Sequence, residues 1–268
     1  MKIAICGKGG SGKSATVTLI ANGMRGKGYE VLVVDSDESN SGLYRMLGFD
    51  RSPVPLMEMV GGKKRVQKEM ASKYSSGESE PRMNILTQDQ IVIDDIPPQY
   101  ILEDDSISLV CIGKILQSLE GCACPMGVLS REFLNKLRLK TNEVAIVDME
   151  AGVEHFGRGV ETAIDSVLVV VEPSFESLQV AEKVSSLAAE IGLNNVWAIL
   201  NKVTSGEMAS MLKEQLRKRN INVIGHIPYD PEIFEACLEG RPIKGDKVAE
   251  EAAGISDIIL AKKNVREG

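Results

Sequence analysis

The chain has 268 residues, with 31 Lys and Arg against 38 Asp and Glu, a formal net charge of −7, 43% hydrophobic residues and only 4% aromatic ones. A chain this long can bury about 75% of its unfolded surface, which excludes whole-chain disorder and favours one domain over two. The acid excess argues against partnership with nucleic acid or anionic lipid, since both are drawn by clustered Lys and Arg.

Five cysteines (Cys6, Cys111, Cys122, Cys124 and Cys237) are an odd number, and the N-terminal MKIAICGKGG lacks the long apolar run of a secretion signal. The expected compartment is a reducing cytoplasm. No stretch approaches the ~18–20 continuous apolar residues of a membrane span, so no transmembrane helix is predicted.

In chain order, a β-branched run at 3–6 predicts the first buried strand. It feeds directly into Gly7-Lys8-Gly9-Gly10-Ser11-Gly12-Lys13-Ser14, which fits G-x-x-x-x-G-K-S and opens a helical pattern over 13–27. Strand, glycine loop and helix in that order are the setting this motif requires. Glycines let backbone N–H groups converge on phosphate oxygens, and the helix N-terminus adds partial positive charge. Lys13 is expected to reach the β- and γ-phosphates, the Ser14 hydroxyl to ligate Mg²⁺, and Ala15 to continue the phosphate-binding surface.

The strand at 31–34 ends in Asp35-Ser36-Asp37. Residues 51–82 break the pattern with Arg51-Ser52-Pro53-Val54-Pro55, the basic Lys63-Lys64-Arg65 and Ser75-Ser76-Gly77-Glu78. They are expected to form a partly helical, mobile surface insertion. A strand at 107–111 and a helix at 112–119 precede Gly121-Cys122-Ala123-Cys124-Pro125-Met126-Gly127. Thiols one residue apart among Gly and Pro are unlike core cysteines, which occur singly in apolar strands as Cys6 and Cys111 do. One C-x-C supplies two soft ligands, and two copies supply the four that a thiolate metal centre prefers. Two incidental or redox-active loop thiols are the alternative.

The strand at 144–147 ends in Asp148-Met149-Glu150. Ligands of such sheets bind at the carboxyl ends of strands, so Asp148 suits a carboxylate that holds Mg²⁺ through its water shell, with Asp35 supporting the metal. Strand-end acids that merely cap turns are the alternative. Strands at 167–171 and 196–200 follow, with a helix at 177–191 between them; Asn201-Lys202-Val203-Thr204 comes next. Where guanine-binding sites end this pattern in Asp, position 204 is Thr, which favours adenine, with Asn201 and Lys202 near the base. A helix at 207–219, a strand at 223–227 and a helix at 246–263 complete the chain. Repeated strand–helix alternation predicts an α/β fold: one doubly wound, mostly parallel sheet flanked by helices, spanning 1–268 as a single P-loop NTPase domain.

Lys8 is a second lysine in the phosphate loop, and with it the loop resembles the deviant Walker A motif of the MinD, ParA and nitrogenase iron protein superfamily. That resemblance implies Mg-dependent ATP hydrolysis in a nucleotide-sandwich homodimer, with Lys8 reaching the partner's nucleotide. It further implies that Asp37, at the family's first switch, orients the attacking water, so Lys8, Lys13 and Asp37 form the catalytic set. Pro228, Tyr229 and Asp230 match the family's adenine-side loop, although a plain strand-to-helix turn serves Tyr229 equally well.

The C-x-C together with Asp148-Met149-Glu150-Ala151-Gly152-Val153-Glu154-His155-Phe156-Gly157-Arg158-Gly159 resembles the CooC family of nickel-insertion ATPases, which mature carbon monoxide dehydrogenase. The resemblance implies an ATP-dependent metallochaperone whose Cys122 and Cys124 bind Ni²⁺ or Zn²⁺ between two subunits, with apo carbon monoxide dehydrogenase or a related nickel enzyme as partner. His155 is more readily a hydrogen-bonding residue than a further ligand. An iron–sulfur electron-transfer ATPase like the nitrogenase iron protein is the second reading, weakened because residues 148–159 contain no cysteine. A MinD- or ParA-like positioning protein is the third. For it, Ile258-Ile259-Leu260-Ala261-Lys262-Lys263 would have to target a membrane, but the run is short and fits a helix packed on the sheet.

Overall fold

The computed structural model describes residues 1–74, 84–114, 124–157 and 159–267. In chain order, its first half holds β1 (Lys2–Gly7), α1 (Lys13–Arg25), β2 (Glu30–Asp35), α2 (Leu43–Met46), α3 (Leu56–Met59), α4 (Lys63–Tyr74), β3 (Ile101–Asp104), β4 (Ile107–Cys111) and α5 (Cys124–Lys136). The second half holds β5 (Glu143–Asp148), α6 (Glu154–Gly157), β6 (Ser166–Val171), α7 (Phe175–Glu190), β7 (Val196–Val203), α8 (Gly206–Arg217), β8 (Asn222–Pro228), α9 (Pro231–Glu239) and α10 (Ala249–Glu267).

These strands form one eight-stranded sheet in the order β3-β4-β2-β5-β1-β6-β7-β8. Every neighbouring pair is parallel except β3 with β4. Side chains alternate between faces along each strand. Ile3 and Ile5 therefore join a core with Leu19 of α1 and Ile255 and Ile259 of α10. Ala4 and Cys6 face the opposite core, with Leu129 and Phe133 of α5 and Val184 of α7. Burial on both faces is why the strands read as continuous apolar runs. This is the expected single-domain α/β architecture, a mostly parallel sheet flanked by helices.

All seven expected strands are present. The eighth, β3, pairs Asp104 with Ile107, and its two-residue turn places Asp105 and Ser106 at φ 41° and 64°. Such a turn normally announces itself by Asn-Gly or Asp-Gly, and Asp-Ser carries no such signal. The expected helix over 112–119 is not seen in its described part: residues 112–114 are non-helical, and the Ile112 amide still donates to Asp35 O at 2.9 Å. Its remainder, 115–119, lies outside the described residues.

The segment 51–82, expected at the surface, sends side chains into the core as far as it is described. Leu56 and Val66 are fully buried, and Met57 and Val60 nearly so, while Lys64 and Arg65 are exposed. Averaged composition hid a few apolar positions set among charges. Residues 75–82 lie outside the described residues. At the C-terminal end, Ile259 and Leu260 are buried in the same core as α1, in line with a packed helix. Among the described residues no helix is long and apolar enough to cross a membrane.

Candidate functional site

The carboxyl ends of β1, β2 and β5 converge on the loop between β1 and α1. Its glycines are required by shape: Gly7 has φ 147° and a Cβ there would stand 2.6 Å from Val170 O. Gly12 has φ 93°, and a Cβ would strike Asn201 Nδ2 at 2.2 Å. Both lie in the left-handed region that side-chain-bearing residues avoid. Next to the loop lies a cavity of about 430 Å³. Gly9, Gly10, Gly12, Lys13, Ser14 and Ala15 line it, together with Asp37, Asn201, Lys202, Pro228, Tyr229 and Asp230. Its apolar wall includes Ile227, Ile233 and Phe234. One polar, amide-rich end and one apolar end suit a phosphate chain joined to a flat base.

Three of the expected binding residues do not line this cavity. Gly7 lies beneath the loop, and the amide of buried Ser11 donates to Lys8 O at 3.1 Å. Lys8 points along the loop's outer side to Glu172, 2.9 Å away. Opposite the loop, Asn201 Nδ2 donates to Ser11 O at 2.8 Å, so it braces the loop as well as facing the cavity. Asp230 caps α9 by accepting from the Glu232 amide at 2.9 Å, and Tyr229 is half exposed.

The acids meet as strand order requires. β2 and β5 are neighbours, and their register sets Asp35 directly beside Asp148. Ser14 Oγ donates to Asp148 Oδ2 at 2.6 Å, and Asn40 Nδ2 donates to Ser14 Oγ at 2.6 Å. Asp148 Oδ1 is buried with no hydrogen-bond partner among the described residues. Burial first, and the adjacent Asp35 second, push the Asp148 carboxyl up to about 7, while the Ser14 hydrogen bond pulls the other way. A buried carboxylate with an open oxygen beside a hydroxyl is a fitting seat for a hydrated divalent cation, so the residues present suit Mg²⁺. Asp37 is buried at the cavity, its Oδ1 accepting from the Ser39 amide at 2.9 Å, the Ser39 hydroxyl at 2.7 Å and the Asn40 amide at 3.2 Å.

Two partners in this cluster escaped sequence reasoning. Lys114, just past β4, sets its ammonium 2.7 Å from Asp35 and donates to the backbone carbonyls of Asp37 and Asn40. Burial raises the Asp35 carboxyl to about 6 despite that ammonium. Glu172, at the end of β6, accepts from both Lys8 and Lys202, each at 2.9 Å. Its partial burial would raise its pKa, but these two ammonium groups hold it below the usual carboxylate range. Lys202 adopts φ 59°, a conformation few non-glycine residues accept.

Of the thiol pair, Cys124 opens α5 ahead of Pro125 and is held in a disulfide, while Cys122 lies outside the described residues. Among the described residues no group of three or more His, Cys, Asp and Glu side chains is placed to hold a metal. His155 is buried, with Nε2 3.2 Å from Gly152 O. Cys6 and Cys111 are buried free thiols whose pKa values burial pushes up to about 12. Cys237, by contrast, stands in the cavity wall.

The sequence profile of the CobQ/CobB/MinD/ParA nucleotide binding domain matches residues 2–243. An uncharacterized ATP-binding protein of Methanocaldococcus jannaschii is 42% identical, the match covering 97% of this chain and 98% of that protein. The carbon monoxide dehydrogenase accessory protein CooC of Rhodospirillum rubrum is 31% identical, covering 92% and 93%. Among solved structures, the septum site-determining protein MinD complexed with Mg-ADP from Pyrococcus horikoshii OT3 superposes with a TM-score of 0.68, 18% identity and coverage of 96% and 95%. That last likeness speaks for the fold alone.

Proposed function

We propose, from the premise that this chain belongs to the CobQ/CobB/MinD/ParA nucleotide-binding family and is an ATPase, that it is an ATP-driven metallochaperone which delivers Ni²⁺ or Zn²⁺ to a metalloenzyme. One observation carries the finer reading: the C-x-C of Cys122 and Cys124 occurs in a chain 31% identical, over nearly its whole length, to a carbon monoxide dehydrogenase accessory protein. The apo form of that dehydrogenase or of a related nickel enzyme is the proposed recipient.

Phosphoryl transfer to water is a matter of positioning and charge neutralisation, and the site's residues suit both. Loop amides and Lys13 bind the phosphate chain. Bound Mg²⁺ would supply further neutralisation of the phosphate oxygens, held by Ser14 and, through water, by Asp148 and Asp35. Asp37 orients the attacking water. Asn201, Lys202, Pro228, Tyr229 and Asp230 bound the base. Lys8 turns from Glu172 to the nucleotide of a second copy in an ATP-bound homodimer. In that dimer two C-x-C motifs bring together four thiolates for one ion, so closure and metal loading assist each other.

The test is metal analysis of the reduced protein with and without a nonhydrolysable ATP analogue, in the wild type and in a Cys122→Ser, Cys124→Ser variant. One thiol-dependent Ni²⁺ or Zn²⁺ per dimer is expected, lost in the variant while ATP binding persists. Metal retained by the variant refutes the site. A brown dimer containing acid-labile sulfide after anaerobic purification points instead to iron–sulfur electron transfer.

A further inference from the structure

Lys114 is largely buried where no sequence motif asks for a cation. It follows β4, its side chain is 9% exposed, and its Nζ lies 2.7 Å from the Asp35 carboxylate. Its other two contacts are the carbonyls of Asp37 and Asn40, so all three ammonium protons serve residues 35–40. That segment faces the nucleotide cavity: Asp37, Ser39 and Asn40 line it, and Asn40 touches Ser14.

The backbone that carries Lys114 leans on a different element. A Cβ at Gly113 would lie 2.9 Å from Met126 Sδ, so the chain packs directly against the first turn of α5, the helix that Cys124 opens. A second bridge runs alongside, where Ser36 Oγ and Ser130 Oγ of α5 stand 3.0 Å apart. Stripping a partner from a buried charge is heavily penalised, so residues 35–40 and 112–114 shift together.

We propose that Lys114 is a positioning residue which transmits nucleotide-driven displacement of residues 35–40 to the first turn of α5 and so to Cys124. What the link serves rests on the metallochaperone reading; the link itself rests only on these contacts.

Amide hydrogen exchange on the reduced full chain tests it, in the wild type and in Lys114→Met, with and without Mg²⁺ and a nonhydrolysable ATP analogue. Nucleotide should alter protection at 7–14, 35–40 and 124–130 in the wild type. In Lys114→Met the response at 7–14 should persist and that at 124–130 should disappear. A wild type in which 124–130 stays unmoved, or a variant in which it responds in full, overturns the proposal. Zn²⁺ titration adds a readout that lost packing alone would not move: nucleotide should change wild-type Zn²⁺ affinity by a coupling factor of about 5–150, falling to within about twofold of unity in the variant. A coupling factor kept at the wild-type value in Lys114→Met also counts against the link. If the wild type shows no thiol-dependent Zn²⁺ binding at all, the metallochaperone reading fails and the exchange result alone decides for Lys114. Should Lys114→Met not fold, Lys114→Arg takes its place, since a planar guanidinium cannot satisfy the same three acceptors; a full wild-type response at 124–130 in it overturns the link.

Discussion

Asp148→Asn should make the nucleotide-free protein more stable while destroying its use of MgATP. Asp148 is fully buried, one of its oxygens has no partner among the described residues, and its carboxyl is raised from 3.8 to about 7. A pKa raised by folding means that the native state holds the proton more tightly than the unfolded chain. Stability from this group is therefore greatest at acid pH and falls as pH climbs from the unfolded to the folded value. At about 1.36 kcal/mol per pH unit, the gap between 3.8 and about 7 amounts to roughly 4 kcal/mol of buried charge above pH 7. Asparagine keeps the shape and removes the charge, but it presents an amide group to a site with an open oxygen, which returns roughly 1–3 kcal/mol. The net expectation is a gain of about 1–3 kcal/mol at pH 8, each kcal/mol being about 2–4 °C in Tm for a domain of this size. Near pH 4 the charge term is gone and the amide cost remains, so there the variant should be less stable than the wild type by roughly 1–3 kcal/mol. Urea unfolding at the two pH values, without nucleotide or Mg²⁺, measures it. A variant no more stable than the wild type at pH 8 would mean that Asp148 is not a desolvated charge, and the argument for a cation seat would lose its basis.

Lys8→Ala should leave the urea unfolding midpoint of the monomer unchanged, because the ion pair with Glu172 is partly solvent-exposed, yet it should abolish ATP-dependent dimerisation in light scattering. A normal dimer would make Lys8 an ordinary loop residue. Glu132 is buried on α5 and accepts from the amides of Ile85 and Leu86 and from Lys136, so Glu132→Ala should destabilise the fold by about 3–5 kcal/mol in urea. A loss below 1 kcal/mol would mean that the network carries little.

The place and shape of the glycine loop were legible, because the motif is written in consecutive residues and Gly7 and Gly12 take positive φ where a Cβ would clash, although Gly7, Lys8 and Ser11 do not line the cavity. Asp35 and Asp148 were legible as strand-end acids, although their side-by-side register depends on β2 and β5 becoming neighbours with β3, β4 and four helices between them in sequence. Lys114 and Glu172 were not. Their partners lie 79 and 164 residues away in sequence, at Asp35 and Lys8, and a single lysine after a strand or glutamate before a helix matches no pattern. One signal for Lys114 was present: a lone cation just past an apolar strand, at the sheet end where the expected acids gather. The buried face of α3 and α4 was obscured for the opposite reason, since many exposed charges outvoted Leu56 and Val66.

The antiparallel strand β3 has a consequence for assembly. It forms one border of the sheet, spans only four residues, and exposes Glu103 and Asp104. A short, acidic border repels a like strand from a second molecule, since two such rows would meet charge to charge. Growth of the sheet from copy to copy is thereby discouraged at that side, and under the proposed ATP-driven dimer cycle the chain avoids a contact it could not readily reverse.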